Sequence, residues 1–544
     1  MHPNKPGRDH LGLGSVSSDQ ILPHLSPGIN VLTFHPRYHS FYLFLLDEFW
    51  RRDRIRSWGE WIRFFRPRDF IFAAGACLCE QPEHTDDTVP VGAQKLKIFR
   101  RSPLGSYRYL EHTDYIKSEL GGYGLYYRSV MAELGLIYPG GAAFLYPIDT
   151  PTEYGQEVAA AFRQGIQETR YYREYFDDDA SQVPQAVIRE YLDRACLCQL
   201  QTPSAPDRPL LLKAFLYGGN SALAANRRQT FQLVLDMANQ TESGSITQAV
   251  FRQLLYFQAT DTGIAYHPRE ALIPIYQHWR LYQAREYYAF ALNILWNYLC
   301  VWGLSNGGDG QPLPLSLFWK HLEDDLDIDS FADRLGLSHP GLKAGSGFQH
   351  LLDWLCSLMQ TNEKDFDLAC TLLSPFHEHR LYLLAKEAPG DPRIVVAAMM
   401  ILLCLVYLRF GNDAHQQQSA WKEVARRGED GRLSLDEFIQ AVRQQLQSGA
   451  PTLLDIARWL YQDYIIRQHL LVAERKLPEN TYRFLWEGNK LRFYPLPNSV
   501  DFMDSRFDAL SLTLTELGLC KALSQPHHPL TIDGKQFLED GDLR

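Results

Sequence analysis

Apolar residues recur along this chain at the three- and four-residue spacing of helices, and only rarely in the alternation of strands. Tyr38, Phe41, Tyr42, Leu45 and Phe49 give one apolar face to a helix over 38–54, and two further helices are expected over 58–65 and 70–80. Residues 81–106 turn polar, with Pro and Gly, and read as an exposed connection. Gly121, Gly122 and Gly124 precede a helix that closes at Gly135. Thr150-Pro151-Thr152-Glu153 then carries the capping signals of a new helix running through Arg163. Residues 210–445 read as successive amphipathic or buried helices. After Pro478, Thr481–Trp486 and Leu491–Tyr494 flank Glu487-Gly488-Asn489 as a β-hairpin, followed by a final pair of helices.

The pattern predicts a mainly α protein of multi-helix bundle domains, with small α+β elements near both ends. Proline breaks near residue 205 and the change of texture late in the chain suggest three segments: 1–205, 206–445 and 446–544. Two uncharged stretches, Tyr287–Leu304 and Ile394–Leu408, span 18 and 15 residues. A bilayer needs about 20, so both are expected to be buried core helices and no membrane partner is expected.

Composition narrows the class. With 544 residues, 45% hydrophobic and 22% charged, the chain has room for several cores, which excludes a disordered or collagen-like protein. Fifty-four basic against 64 acidic residues give a formal charge of -10, so any nucleic-acid contact must come from a local patch. Nine cysteines, mostly in apolar runs, and an N-terminus without a signal-peptide profile lead to the expectation of a reducing cytoplasm.

One such patch is Arg51, Arg52, Arg54, Arg56, Arg63, Arg66 and Arg68, set against Asp53 and Glu60 and interleaved with Trp58, Trp61, Phe64 and Phe65. Arginines of this kind neutralise phosphates and the aromatics stack on bases. The same pattern also arises from an amphipathic helix with its rings turned inward. Arg128, ahead of Gly135, is an eighth candidate.

Cys77-Leu78-Cys79 and Cys196-Leu197-Cys198 form a matched pair that could supply four thiolates. Their one-residue spacing is shorter than that of common zinc motifs, so they are read as packing, with no metal and no cofactor expected. Asp430–Phe438 looks like half of an EF-hand loop, but Arg426 and Gly428 stand where ligands are needed, which leaves a Ser434-x-x-Glu437 cap. His377-Glu378-His379 lacks the spacing of a zinc protease. The carboxylates Asp324, Asp325, Asp327 and Asp329 read as a solvated face or cap. Arg409 to His415 and Arg334 to His339 have spacings compatible with a helical RNase pair of the HEPN family, each interrupted by Gly. No phosphate-binding loop, nucleophile elbow or dinucleotide fingerprint is present, so the chain is expected to be non-catalytic.

Two distant segments share a pattern. Glu133-Leu134-Gly135-Leu136 is followed by Thr152-Glu153-Tyr154-Gly155, and Glu516-Leu517-Gly518-Leu519 by Thr531-Ile532-Asp533-Gly534. Each resembles the end of a winged helix-turn-helix domain, in which a helix closes on Leu-Gly-Leu, a two-stranded wing follows, and Thr-x-x-Gly opens the next helix. That resemblance implies a preceding helix that docks in the major groove and a wing that touches phosphate.

Arg37-Tyr38-His39-Ser40-Phe41-Tyr42 and the segment His469–Leu477 resemble uncharacterised bacterial proteins similar to subunits of anti-phage or DNA-processing systems. The resemblance implies a nucleic-acid-binding or scaffold subunit whose partners are other subunits of the system, with DNA or RNA as a further partner. The alternative is a divergent nuclease or hydrolase effector.

Overall fold

Helix accounts for 61% of the described residues and strand for 5%, so the core is closed by helices packing on helices. The computed structural model describes residues 9–543, except 53–54, 308–309, 388–389, 412–417, 429–431, 478, 480 and 496–499. Two compact units form. Unit I joins Pro23–Gln248 to Ser505–Arg544, and unit II joins Met1–Leu22 to Ala249–Asp504. The three consecutive segments expected from the sequence are therefore replaced by two discontinuous units. Their boundaries fall where long-range packing changes, which local Pro and Gly signals do not report.

Unit I is built around helix α1 (Arg37–Arg51), buried from Arg37 to Phe49. Its aromatic positions face α2 (Trp58–Leu78) and the later helix Glu153–Ile166, with Phe41 stacked on Phe72 at 4.0 Å and tilted against Phe162 at 5.9 Å. Helix α2 is continuous where two helices were expected. Ser57 caps it by accepting from the Glu60 amide, and Pro67 is accommodated within it.

A short helix α3 (Arg128–Glu133) leads to strands β1 (Ile137–Tyr138) and β2 (Thr150–Pro151), paired antiparallel, then to α4 (Glu153–Ile166) and α5 (Gln185–Ala195). Helices α2 and α5 meet closely at Gly75, where a Cβ would lie 2.4 Å from a Leu192 methyl.

Unit II centres on α6 (Ile273–Asn306), buried on all sides over most of its length. Arg393–Phe410 is the one helix, among the described residues, long and apolar enough to cross a membrane by length and composition; 89% of it is buried within the protein. Both uncharged stretches are thus core helices, as expected. The predicted hairpin is present, with Phe484–Glu487 pairing antiparallel to Lys490–Phe493 around Gly488. Leu313–Pro314 adds a third strand that the sequence pattern missed.

Unit I is completed by α7 (Phe507–Glu516) and α8 (Ile532–Asp540). All nine cysteines are free thiols.

Candidate functional site

The two segments with a shared pattern both lie in unit I, and the hydrogen bonds at their helix ends and caps correspond one to one. Helix α3 closes at Gly135 (φ 68°) and α7 at Gly518 (φ 80°), a left-handed conformation that glycine adopts without a Cβ penalty. The Leu136 amide donates back to the Met131 carbonyl at 2.9 Å, as Leu519 does to Leu514. After each hairpin the Thr amide returns to the same leucine: Thr152 to Leu136 at 3.0 Å, and Thr531 to Leu519 at 3.1 Å.

Each Thr hydroxyl donates to the glycine carbonyl, at 2.9 Å for Thr152–Gly135 and 2.7 Å for Thr531–Gly518. Each also accepts from the amide three residues on, Gly155 or Gly534, at 3.0 Å. Those glycines are required by space. A Cβ at Gly155 would lie 2.2 Å from the Leu136 carbonyl oxygen, and one at Gly534 would lie 1.8 Å from that of Leu519. The expected helix ends and starts are all present.

The helices ahead of the hairpins are not free. Val130 and Met131 of α3 are buried, as are Phe507, Leu510, Thr513 and Leu514 of α7. Glu133 accepts from the Gly28 amide at 2.9 Å, and Glu516 meets His35 at 2.7 Å. Helix α7 carries no Lys or Arg at all. A groove of about 840 Å³ is lined by Tyr126 and Tyr127, just before α3, and by Asp508 and Leu512 of α7. Asp86, Asp87 and Asp114 share that lining with Lys95 and Lys117, an excess of carboxylates that repels phosphate.

The hairpin loops differ. The loop after β1, residues 139–148, contains no charged side chain. Its base is fixed by Arg128, which grips Asp149 through two nitrogens at 2.7 and 2.8 Å and the Gly140 carbonyl at 2.7 Å. Its tip projects, with Phe144 54% and Leu145 88% exposed, and Tyr138 at its base 54% exposed. The second loop is held down. The Ile246 amide donates to the Leu523 carbonyl at 2.7 Å, and the His527 amide to Glu242 at 3.0 Å.

The candidate phosphate-binding arginines do not form a common face. Helix α1 ends at Arg51, and the backbone of Arg52 is extended, so Arg56 does not continue the helical face of Arg52. Arg51 pairs with Asp47 at 2.6 Å. Arg52 bridges Glu48 and Asp177 over the Phe176 ring. Arg54 lies outside the described residues. Arg56 donates to the Phe49 and Trp50 carbonyls. Arg63 is exposed and paired with Glu60 at 2.9 Å.

Arg66 and Arg68 are buried rather than presented to solvent. Arg66 donates to the carbonyls of Thr113, Ile116 and Ser118 at 2.9–3.1 Å, and Arg68 pairs with Asp179 at 2.8 Å above the Phe64 ring. Arg128 fixes the base of the first loop, as described above. Sequence charge was visible here, but its use in tying loops to α2 was not.

The cysteine pairs behave differently from the packing reading as well. Cys79, Cys196 and Cys198 converge with His84, all four ligand atoms lying within 4.8 Å of one another, while Cys77 stays outside the group. Hydrogen bonds from Cys196 and Cys198 hold the Cys79 thiol well below its usual range, and burial pushes the Cys196 thiol up. The member of the group that the sequence reading missed is His84, in the polar connection five residues beyond Cys79. Its signal was a His close behind one of two matched Cys-Leu-Cys pairs.

The remaining catalytic candidates are engaged in caps and ion pairs. Glu378 is fully buried against Arg409, and Asp327 caps a helix by accepting from the Asp329 and Ser330 amides. Arg334 pairs with Asp391 while His339 pairs with Asp333. Ser434 caps its helix through the Glu437 amide; Asp430, Gly431 and His415 lie outside the described residues. No family model, curated protein or solved structure matches this chain.

Proposed function

We propose that this protein is a non-catalytic scaffold subunit of a multi-component bacterial assembly, of the defence type that its Arg37–Tyr42 and His469–Leu477 segments resemble, acting in the reducing cytoplasm. The twin modules of unit I are read as winged-helix-like elements turned from nucleic acid to protein contact. The observation that carries this reading is the first wing, an uncharged loop projecting Phe144 and Leu145 from a base locked by Arg128 and Asp149. A wing that tracks phosphate needs cations. An exposed aromatic and aliphatic tip on a rigid base fits a hydrophobic pocket on a protein partner. The helices that would enter a DNA groove each bury one face, α7 has no Lys or Arg, and Arg128 of α3 is paired with Asp149, which supports the same reading.

The test compares the wild-type chain with Phe144→Ser/Leu145→Asp in the native host. The double variant is expected to keep its thermal midpoint and lose a specific co-purifying subunit. A gel shift that weakens steeply with salt and disappears in Arg51→Ala/Arg63→Ala would instead establish the nucleic-acid reader.

A further inference from the structure

We propose that Cys79, His84, Cys196 and Cys198 bind one structural zinc ion that ties the end of α2 to the end of α5. The argument begins with distances. Cys79 Sγ lies 3.8 Å from Cys198 Sγ, and Cys196 Sγ lies 3.5 Å from His84 Nδ1. Around a tetrahedral zinc with Zn–S near 2.3 Å and Zn–N near 2.0–2.1 Å, the edges of the tetrahedron are about 3.8 Å between sulfurs and about 3.6 Å between sulfur and nitrogen. Two opposite edges of that tetrahedron are already in place, and all four ligand atoms lie within 4.8 Å of one another. A disulfide would instead need two sulfurs near 2.05 Å.

The local structure explains how the ligands meet. Cys79 is the residue that ends α2, and Cys196 the residue that ends α5. The two helices pack tightly through Gly75 against Ile188 and Leu192, so their C-terminal ends arrive together. A turn closed by the His84 amide on the Gln81 carbonyl brings the histidine back toward Cys79. Cys198 follows on the short helix Leu197–Gln201. The buried Arg37 holds this ligand loop from behind, donating to the Cys196 carbonyl at 2.8 Å and the Arg194 carbonyl at 2.9 Å.

Electrostatics select a cation. Two helix C-termini present the negative ends of their dipoles here, which favours a cation. Three sulfurs and an imidazole are a soft set suited to zinc. Four protein ligands leave no open position, so the role is structural. Binding releases the thiol protons to solvent.

The test uses the full chain from a zinc-replete host. Elemental analysis is expected to give one zinc per chain, and replacement by cobalt(II) to give the visible bands and sulfur charge transfer of a tetrahedral S₃N site. Cys77→Ser should keep the metal, Cys196→Ser/Cys198→Ser should lose it, and His84→Cys should retain it with an S₄ spectrum. Should the double variant fail to fold, alkylation of the wild type decides: zinc must protect Cys79, Cys196 and Cys198 but not Cys356. Absence of zinc with equal labelling of those cysteines, zinc kept by the double variant, or iron in place of zinc would each overturn the assignment.

Discussion

Arg409 and Glu378 face each other inside unit II, with two guanidinium nitrogens on the two carboxylate oxygens at 2.8 and 3.1 Å and both side chains sealed from solvent. Tyr256 donates to the same carboxylate at 2.6 Å, and Asp367 takes the other guanidinium nitrogen at 2.7 Å. A buried pair of this kind adds little net stability, but stranding one partner is costly. Arg409→Met is therefore expected to destabilise unit II by about 3–5 kcal/mol. Arg409→Met/Glu378→Leu should recover much of that loss, read as urea midpoints. Equal losses for single and double variants would show that the arginine acts only through its other contacts.

Asp367 gives this network a pH signature. Burial alone would raise its pKa, but Arg280 and Arg409 outweigh burial and hold it at about 2, below the ordinary 3.8. A depressed carboxylate stabilises the fold above its unfolded pKa, and that contribution disappears as pH falls through the folded value. The loss should run from about pH 4 down to about pH 2 and amount to about 2 kcal/mol. Asp367→Asn should flatten the stability profile in that window, as followed by acid titration of tryptophan fluorescence.

The twin modules predict twin costs. Thr152→Ala and Thr531→Ala each remove a helix cap and should each cost about 1 kcal/mol. Gly155→Ala and Gly534→Ala press a methyl onto a carbonyl and should each cost about 2 kcal/mol or more. Chemical denaturation of the four variants checks both the order and the pairing. A large difference between Thr152→Ala and Thr531→Ala would mean that the two copies are matched in geometry but not in energy.

Within the arginine-rich stretch, adjacent residues should behave very differently. Arg63 is 68% exposed, with a single i,i+3 partner, so Arg63→Ala should change stability by less than about 0.5 kcal/mol. Arg66→Ala strands three carbonyls of 113–118 and should cost about 3 kcal/mol. Limited proteolysis should show new cleavage in that segment for Arg66→Ala alone.

What the sequence disclosed was local. Leu-Gly-Leu with a following Thr-x-x-Gly is a chain-neighbour arrangement, and its helix ends, caps and hairpins could be placed from residue types alone. The mainly α class was legible for the same reason, since helical spacing is written within a few turns. What it concealed was long-range. Cys79 and Cys198 are separated by 119 positions, and His84 sits in a stretch whose polarity says only that it is exposed. Arg66 and Arg68 announce charge, but the carbonyls and the Asp179 that receive it come from segments about 50 and 111 residues later. Unit boundaries failed on the same ground, because a discontinuous unit has no composition of its own.

That discontinuity orders the birth of the protein. On a ribosome, Ala249–Asp504 emerges after Pro23–Gln248 but before Ser505–Arg544, so unit II has all its parts while unit I still waits for its second module. Until then Arg208 lacks the Leu517 carbonyl it will bind at 3.1 Å, and Gln232 lacks that of Phe537. The apolar side chains destined for α7 and α8 stay uncovered through the synthesis of some 250 intervening residues, at about 5–20 residues per second. A nascent chain of this layout leaves apolar surface uncovered for longer than its length alone would suggest, and a stop codon just after Asp504 would release a chain whose unit I lacks α7 and α8.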